Sequence, residues 1–355
     1  MAIYSKGSGV NNAAIGKLET PIKMLIEHES DLMKKKGGVC DWLFNIENSN
    51  HFGETVVNQK GFEIFMAVTE GSGAMSDSIE ECGSKFIEHI QFMKEFTITA
   101  EMMEDANYGV AQDAKRRVQN FVRSYYNTVN KACTQALVNG IVASSNFAGG
   151  LIDTTTADGL PLFNKSHSWG TDSGSHGTQS NYFWGDVAKT GEEGARAYSI
   201  DKVEETLYNL ANVIRCMKDE NGDPTGYVAD TIILPGNKPT LEHLVKKVCG
   251  SENIVASANN DVNVHYGNWN VIILPTWTPS LDEMMIMSSE ANKCLAGNMF
   301  FNRVPLTVSS WVDYHTGNYN WTGRCRFGIG FGSYKHIVRA VDSTTAATNA
   351  TTLPK

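Results

Sequence analysis

Residues 101–142 read EMMEDANYGVAQDAKRRVQNFVRSYYNTVNKACTQALVNGIV. Apolar or small side chains recur at Ala114, Val118, Phe121, Val122, Tyr125, Val129, Ala132, Ala136, Leu137 and Ile141. Steps of three and four place them on one stripe of a helix. No proline interrupts the stretch, and Lys115, Arg116, Arg123, Asn127 and Lys131 take the remaining faces. Thr99 is placed to cap the start, and Glu104 and Asp105 would lie near the positive end of the helix dipole. A helix of about 40 residues would be roughly 60 Å long at 1.5 Å per residue. A compact domain has helices of about a dozen residues on average. The stripe mixes Ala, Gly and Tyr too freely for a strict heptad seam. The expectation is therefore a spine for an elongated protein rather than a coiled-coil strand.

Ahead of this helix, residues 85–99 (KFIEHIQFMKEFTIT) alternate as a strand, as do residues 62–69. Between them lies the turn-rich acidic stretch GSGAMSDSIEECGS. Two strands with a long tip predict an extended two-stranded arm. An isolated hairpin is marginal in water, so the arm is expected to lie on a neighbouring subunit; the alternative is a hairpin folded back on its own sheet. Residues 1 to about 16 read as a flexible Gly-, Ser- and Asn-rich arm. Residues 17–36 read as a helix, with Thr20 as cap, Pro21 at its first position, and Gly37 and Gly38 ending it after a lysine triplet.

Beyond the long helix, residues 144–197 are rich in Gly, Ser, Thr and Asn and carry little periodicity. Ser199 then opens a helix with Leu207, Leu210, Val213 and Ile214 on one face. DENGDPTG (Asp219 to Gly226) is a turn before the strand VADTIILPG, and Pro239 begins another helix closed by Gly250. NVIIL (residues 270–274) and EMMIM (residues 283–287) predict buried strands. PLTVSSWVDY, NWTGRCRFGIGFG and YKHIVRAV predict three more, and the tail after Val341 reads as loose. Helix and strand mix without regular βαβα alternation, which predicts an α+β fold.

Composition bounds the function. The chain has 355 residues, 41% hydrophobic and 19% charged, enough for a proper core. No apolar run approaches the 18 or so residues of a membrane span, and the N-terminus lacks the apolar core of a signal peptide. Seven scattered cysteines, with no CxxC pair, fit a reduced setting and predict neither a disulfide framework nor a zinc site. The net charge of −9 argues against coating nucleic acid over the whole surface. It does not argue against surrounding it, because a container that gripped its cargo's phosphates strongly would be a poor container.

Signatures of catalysis are missing from the sequence. There is no GxxxxGK[ST] loop, no GxGxxG after a strand, no GxSxG elbow and no HExxH. FGIGF near Phe327 lies in a β region and reads as a packing feature. His167 and His176 near Asp172 fit no common metal spacing, and Ser166 beside His167 is only a sequence neighbour. Trp169, Tyr182, Phe183 and Trp184 are weighed as base-stacking groups, but the charges around them are few and mixed, which favours packing. No catalytic, cofactor-binding or metal-binding residue is assigned, and no cofactor is expected.

The order of these features resembles the major capsid protein of tailed phages, the Hong Kong 97-type fold. FTITAEMMEDA (Phe96 to Ala106) resembles the passage from that family's extended loop into its spine helix. GLPLFNKSHSW resembles a pattern of the Mu-like subset of head proteins. GDPTGYVADTIILPG with the helix after it resembles the axial domain, and WTGRCRFGIGFGSYKHIVRA the closing strands of the peripheral domain. The resemblance covers most of residues 50–342.

It implies a structural shell protein, not an enzyme, that self-assembles into hexamers and pentamers of an icosahedral virion shell in the host bacterial cytoplasm. The shell would enclose double-stranded DNA without sequence-specific binding, with a portal, a possible decoration protein and no membrane partner. The implied division is an N-terminal arm over 1–52 and an extended loop over 53–100. A peripheral domain with the spine helix and glycine-rich loop follows over 101–199, then an axial domain over 200–300, then closing strands and tail over 301–355. Many relatives carry a long scaffolding segment that is cleaved. Only about 50 residues precede the loop here, so a separate scaffold, or none, is expected. No crosslink is expected of Lys85 or Lys94, the lysines in the loop region considered for one. The competing readings are an encapsulin-like nanocompartment shell with a protein cargo and a cytosolic enzyme whose site the sequence does not display.

Overall fold

The computed structural model describes residues 24–62, 64–73, 76, 81–99, 101, 108–169, 177–191, 196–253 and 262–354, with side chains on the long helix described from residue 115. Several expectations lie outside these residues: the N-terminal arm to residue 16, the Thr20 cap with Pro21, residues 74–75 and 77–80 of the acidic tip, Glu104, Asp105, Asp172 and His176.

The long helix runs over Tyr108–Val138, 31 residues. At 1.5 Å per residue this described stretch is about 46 Å long, and it ends at Val138 rather than at residue 142. It stops where Gly140 N–H bonds Leu137 O at 3.2 Å and Val142 N–H bonds Asn139 O at 3.0 Å, turning the chain so that Leu162 and Phe163 pack against Gly140. The predicted stripe is buried: Val118, Phe121, Val122, Val129, Ala132, Ala136 and Leu137. A shorter helix over 24–36 packs beside it and ends at Gly37, whose φ of +67° suits glycine at a helix C-terminus. Val39–Leu43 adds one more turn.

A six-stranded sheet forms one half of the fold. Its order is Asn270–Leu274, Thr231–Pro235, Glu283–Met287, Ile337–Asp342, Tyr182–Gly185 and Thr351–Thr352. Thr231–Pro235 pairs parallel with Asn270–Leu274 and antiparallel with Glu283–Met287. Every residue of Thr231–Pro235, Glu283–Met287 and Ile337–Asp342 is buried. Alternation along a strand explains how, because both faces are covered. Ile232, Leu234, Met284, Ile286, Val338 and Ala340 face the helices Ile200–Cys216 and Pro239–Gly250. Ile233, Met285, Met287, Ile337 and Val341 join the second core with Leu137, Phe163 and Trp277. Under the first face, Leu207, Leu210 and Ile214 are fully buried, each stabilising by about 1.5–3 kcal/mol.

A four-stranded sheet forms the other half, ordered Asn45–Asn48, Asn298–Val312, Tyr319–Phe331 and Ile90–Ile98. The two central strands make a long hairpin with irregular register between Asn302 and Thr307, around Pro305. The long helix lies on this sheet through Val118 and Val122 against Ile98 and Trp321. Two glycines allow close approach. A Cβ on Gly330 would meet Ile87 at 2.5 Å, which accounts for FGIGF as a packing feature, and Gly323 sits under Phe121.

The arm differs from its sequence reading. Its strands are Gly53–Gln59 and Glu81–Glu88, paired antiparallel. Residues 64–69 alternate in sequence but form no strand, and among the described residues no backbone pairs with them. The single strand expected over 85–99 is two, divided at His89, where Ile90–Ile98 leaves the arm for the four-stranded sheet. The alternation runs through the break, so the pattern alone hides it. The tail is not loose either. Thr351–Thr352 pairs parallel with Phe183 and Trp184, and Leu353 N–H bonds Trp184 O at 2.8 Å. That anchoring is by backbone, which a polar sequence does not advertise.

Candidate assembly surface

The described residues among those weighed for chemistry are engaged within the fold. His167 is fully buried. Its Nδ1 lies 2.6 Å from Asp158 Oδ2, its Nε2 lies 3.2 Å from Leu162 O, and its ring stacks on Tyr334 with centroids 3.9 Å apart. Burial opposes ionisation of Asp158, but hydrogen bonds from His167, Thr156 and the Leu160 backbone outweigh it and hold the carboxyl below its usual range. Ser166 N–H donates to Asn164 Oδ1 at 3.0 Å. A polar cleft of about 260 Å³ beside this pair is lined by Asp158, Ser168, Glu220 and Lys335, with Lys335 ion-paired to Glu220. Tyr182 and Phe183 enter opposite cores and Trp169 packs over Gly222, so no shared stacking platform forms. Among the described residues, no group of three His, Cys, Asp or Glu is placed to hold a metal. Lys85 is ion-paired with Asp153, and Lys94 Nζ donates to Ser124 Oγ at 2.9 Å. No described helix is long and apolar enough to cross a membrane.

Several of the exposed features are apolar. Phe62, Ile64, Phe65, Met66 and Val68 lie exposed in the irregular segment joining the arm's strands, and Phe65 keeps its whole surface in solvent. Five large apolar side chains so close together mark a protein-contact surface, since burying each would gain about 1.5–3 kcal/mol. The base of the segment is held. Asn221 Nδ2 donates to Gly61 O at 3.1 Å, and Asn58 Nδ2 donates to Gly332 O at 3.1 Å. The arm is therefore fixed at its root and bare beyond it.

Two further exposed groups stand elsewhere. Trp311 and Tyr314 crown the long hairpin, and Val262, Val264 and Tyr266 lie near the helix Pro239–Gly250. Across the fold lies a groove of about 710 Å³ between helix 24–36, Trp42, the Tyr125–Val129 side of the long helix, Ile273 and Pro305. Trp42 and Ile46 remain exposed at this groove.

The alternation of residues 62–69 predicts a strand and so conceals this surface. Five large apolar side chains (Phe62, Ile64, Phe65, Met66 and Val68) fall within seven residues, and that density is the signal in sequence that points to it. The groove draws on residues far apart in the chain and has no local signal.

No family model and no curated protein matches the chain. Among solved structures, the chain is similar to the capsid of the cyanophage P-SCSP1u, with 10% identity, a TM-score of 0.50, and coverage of 87% of this chain and 89% of that one. It is also similar to the capsid of a native GTA particle (10% identity, TM-score 0.49, coverage 86% and 90%) and to that of Ralstonia phage GP4 (9% identity, TM-score 0.49, coverage 86% and 88%). The likeness to the cyanophage protein is one of fold: a mixed α+β chain matched over nearly its whole length.

Proposed function

We propose that this chain is the major capsid protein of a tailed phage, a structural subunit that assembles with copies of itself into an icosahedral shell around double-stranded DNA. The observation that carries the reading is the exposed apolar run Phe62–Val68 on a rooted arm, in a fold shared with a phage capsid protein. A run of that kind costs solubility in a monomer and is useful only where another chain covers it. Isologous or ring contacts between copies are the economical cover, since every copy carries the same arm and further exposed apolar groups at Trp311, Tyr314, Val262 and Val264.

Residues 53–100 serve in this reading as the extended loop, with the long helix as spine. Residues 200–300, which supply three strands of the six-stranded sheet and the two helices that cover it, serve as the axial domain. The closing segment 301–355 completes both sheets, so the division follows chain segments rather than a gap in the core. The role is structural rather than catalytic, the location is the virion, and the further partners are a scaffold, a portal and a decoration protein.

Expressing the chain and viewing it by negative-stain electron microscopy tests the reading. Rings of five and six, tubes or shells support it, and nuclease-protected DNA in particles from infected cells identifies the cargo. Particles filled with protein and free of nucleic acid would replace the phage reading with a nanocompartment.

A further inference from the structure

The long helix carries a second exposed feature, a polar one. Arg116, Asn120, Arg123, Asn127 and Lys131 are all exposed. Their spacing places them on one stripe opposite the buried Val118, Val122, Val129 and Ala132. From residue 115 to residue 152 the chain holds no Asp or Glu, in a protein of net charge −9. The lysine triplet of helix 24–36 is exposed as well, and Lys34 and Lys36 line the same groove as Asn127 and Lys131. Two basic segments distant in sequence thus meet at one end of the stripe. Three carboxylates lie near. Glu29 is buried and faces Arg123 at 3.7 Å, leaving the arginine half exposed, Asp31 is exposed on helix 24–36 close enough to act on Tyr126, and Asp41 lines the groove.

We propose that this band (Arg116, Arg123 and Lys131, continued by Lys34 and Lys36) binds the phosphate backbone of nucleic acid without regard to sequence; the proposal rests on the reading of the chain as a container for DNA. From residue 116 to residue 131 the stripe spans about 22 Å at 1.5 Å per residue. Duplex DNA presents one negative charge per about 1.7 Å of its axis over such a length. Arg, Lys and Asn donate hydrogen bonds and suit phosphate oxygens. The stripe itself holds no apolar side chain, and a docking protein helix needs apolar anchors to bind. That favours a polyanion without an apolar face over an acidic protein partner. The acidic balance of the rest of the chain confines the contact to this band, so the grip stays weak and salt-sensitive.

The test is fluorescence anisotropy of the full-length chain with fluorescein-labelled DNA duplexes of two unrelated sequences, across a series of salt concentrations. The expected result is equal affinity for both duplexes with a negative slope of log affinity on log salt. Lys34→Gln/Lys36→Gln/Lys131→Gln, which leaves the Glu29 contact intact, should weaken binding about tenfold or more and flatten the slope by about 0.9 for each phosphate no longer neutralised. Arg116→Gln should act in the same direction, with Arg123 left in place because it faces the buried Glu29. Duplex affinity unchanged in both variants overturns the proposal. So does a loss confined to polyglutamate used as an acidic-peptide probe. A chain that binds duplex through the band yet never assembles keeps the band and removes the container; shells formed normally by variants whose duplex binding is unaltered do the reverse.

Discussion

Gly323 lies directly beneath Phe121, so close that a Cβ on the glycine would come within 2.3 Å of the ring's Cζ. This contact seats the long helix on the four-stranded sheet, with the Phe121 ring 5.0 Å from that of Phe96 and Phe96 stacked on Trp321. Gly323→Ala overpacks the joint and should destabilise the chain by about 1–3 kcal/mol. Chemical denaturation checks this, and adding Phe121→Leu should recover part of the loss. A wild-type midpoint for Gly323→Ala would mean that the helix does not sit as described.

Arg339 and Glu283 form a buried ion pair between adjacent strands, with Arg339 Nε 3.1 Å from Glu283 Oε2. Arg339 also donates to Val138 O at 2.6 Å, bonding a carbonyl at the end of the long helix, and lies over the rings of Phe163, Tyr182 and Trp277. Glu283→Ala leaves a buried unpaired cation and should cost about 3–5 kcal/mol. The double change Arg339→Met/Glu283→Met should cost less than Glu283→Ala alone. A thermodynamic cycle in denaturant reads both values, and additive effects would show the pair to be uncoupled.

His336 is fully buried, and burial pushes its pKa down to about 3. Asn298 Nδ2 donates to Leu43 O, so its Oδ1 accepts from His336 Nε2 at 2.8 Å. A histidine depressed in the folded state binds its proton more readily when unfolded. Its contribution is therefore complete above the ordinary value of about 6.5 and is lost as pH falls from there toward 3, by up to about 1.4 kcal/mol per pH unit. Asp282 adds loss in the same direction at lower pH. Burial opposes its ionisation, but Lys189, Tyr198 and Lys238 hold the carboxyl below its usual range. Stability measured against pH should be flat between about 7 and 8, where neither the histidines nor the buried thiols titrate, and fall below 6.5, and His336→Asn should flatten the limb between 6.5 and 4. An unaltered limb in that variant would place the titration elsewhere.

The parts of the fold legible in sequence are those where burial is dictated locally. TIILP and EMMIM are apolar at nearly every position because both faces of their sheet are covered, and the long helix shows its stripe because one face meets a sheet. The arm misleads because residues 62–69 are apolar and alternating for a different reason: another chain, rather than a paired strand, is their proposed cover. The break at His89 is hidden by an alternation common to two sheets. Arg339 with Glu283, His167 with Asp158, and Lys34 with Lys131 bring together distant positions, and no local pattern announces them. The polar tail strand Thr351–Thr352 binds through its backbone alone, so its composition suggests a free end.

The central claim is that the exposed run of the arm is buried between copies of this chain. Placing the photoreactive p-benzoylphenylalanine at Phe65 and irradiating assembled material tests it most directly. Crosslinked ladders of two to six chains are expected, with peptides mapping to a different copy and absent when Phe62, Ile64 and Met66 are changed to Ser. Crosslinks confined to the same chain, or none in material that has assembled into shells, would contradict it.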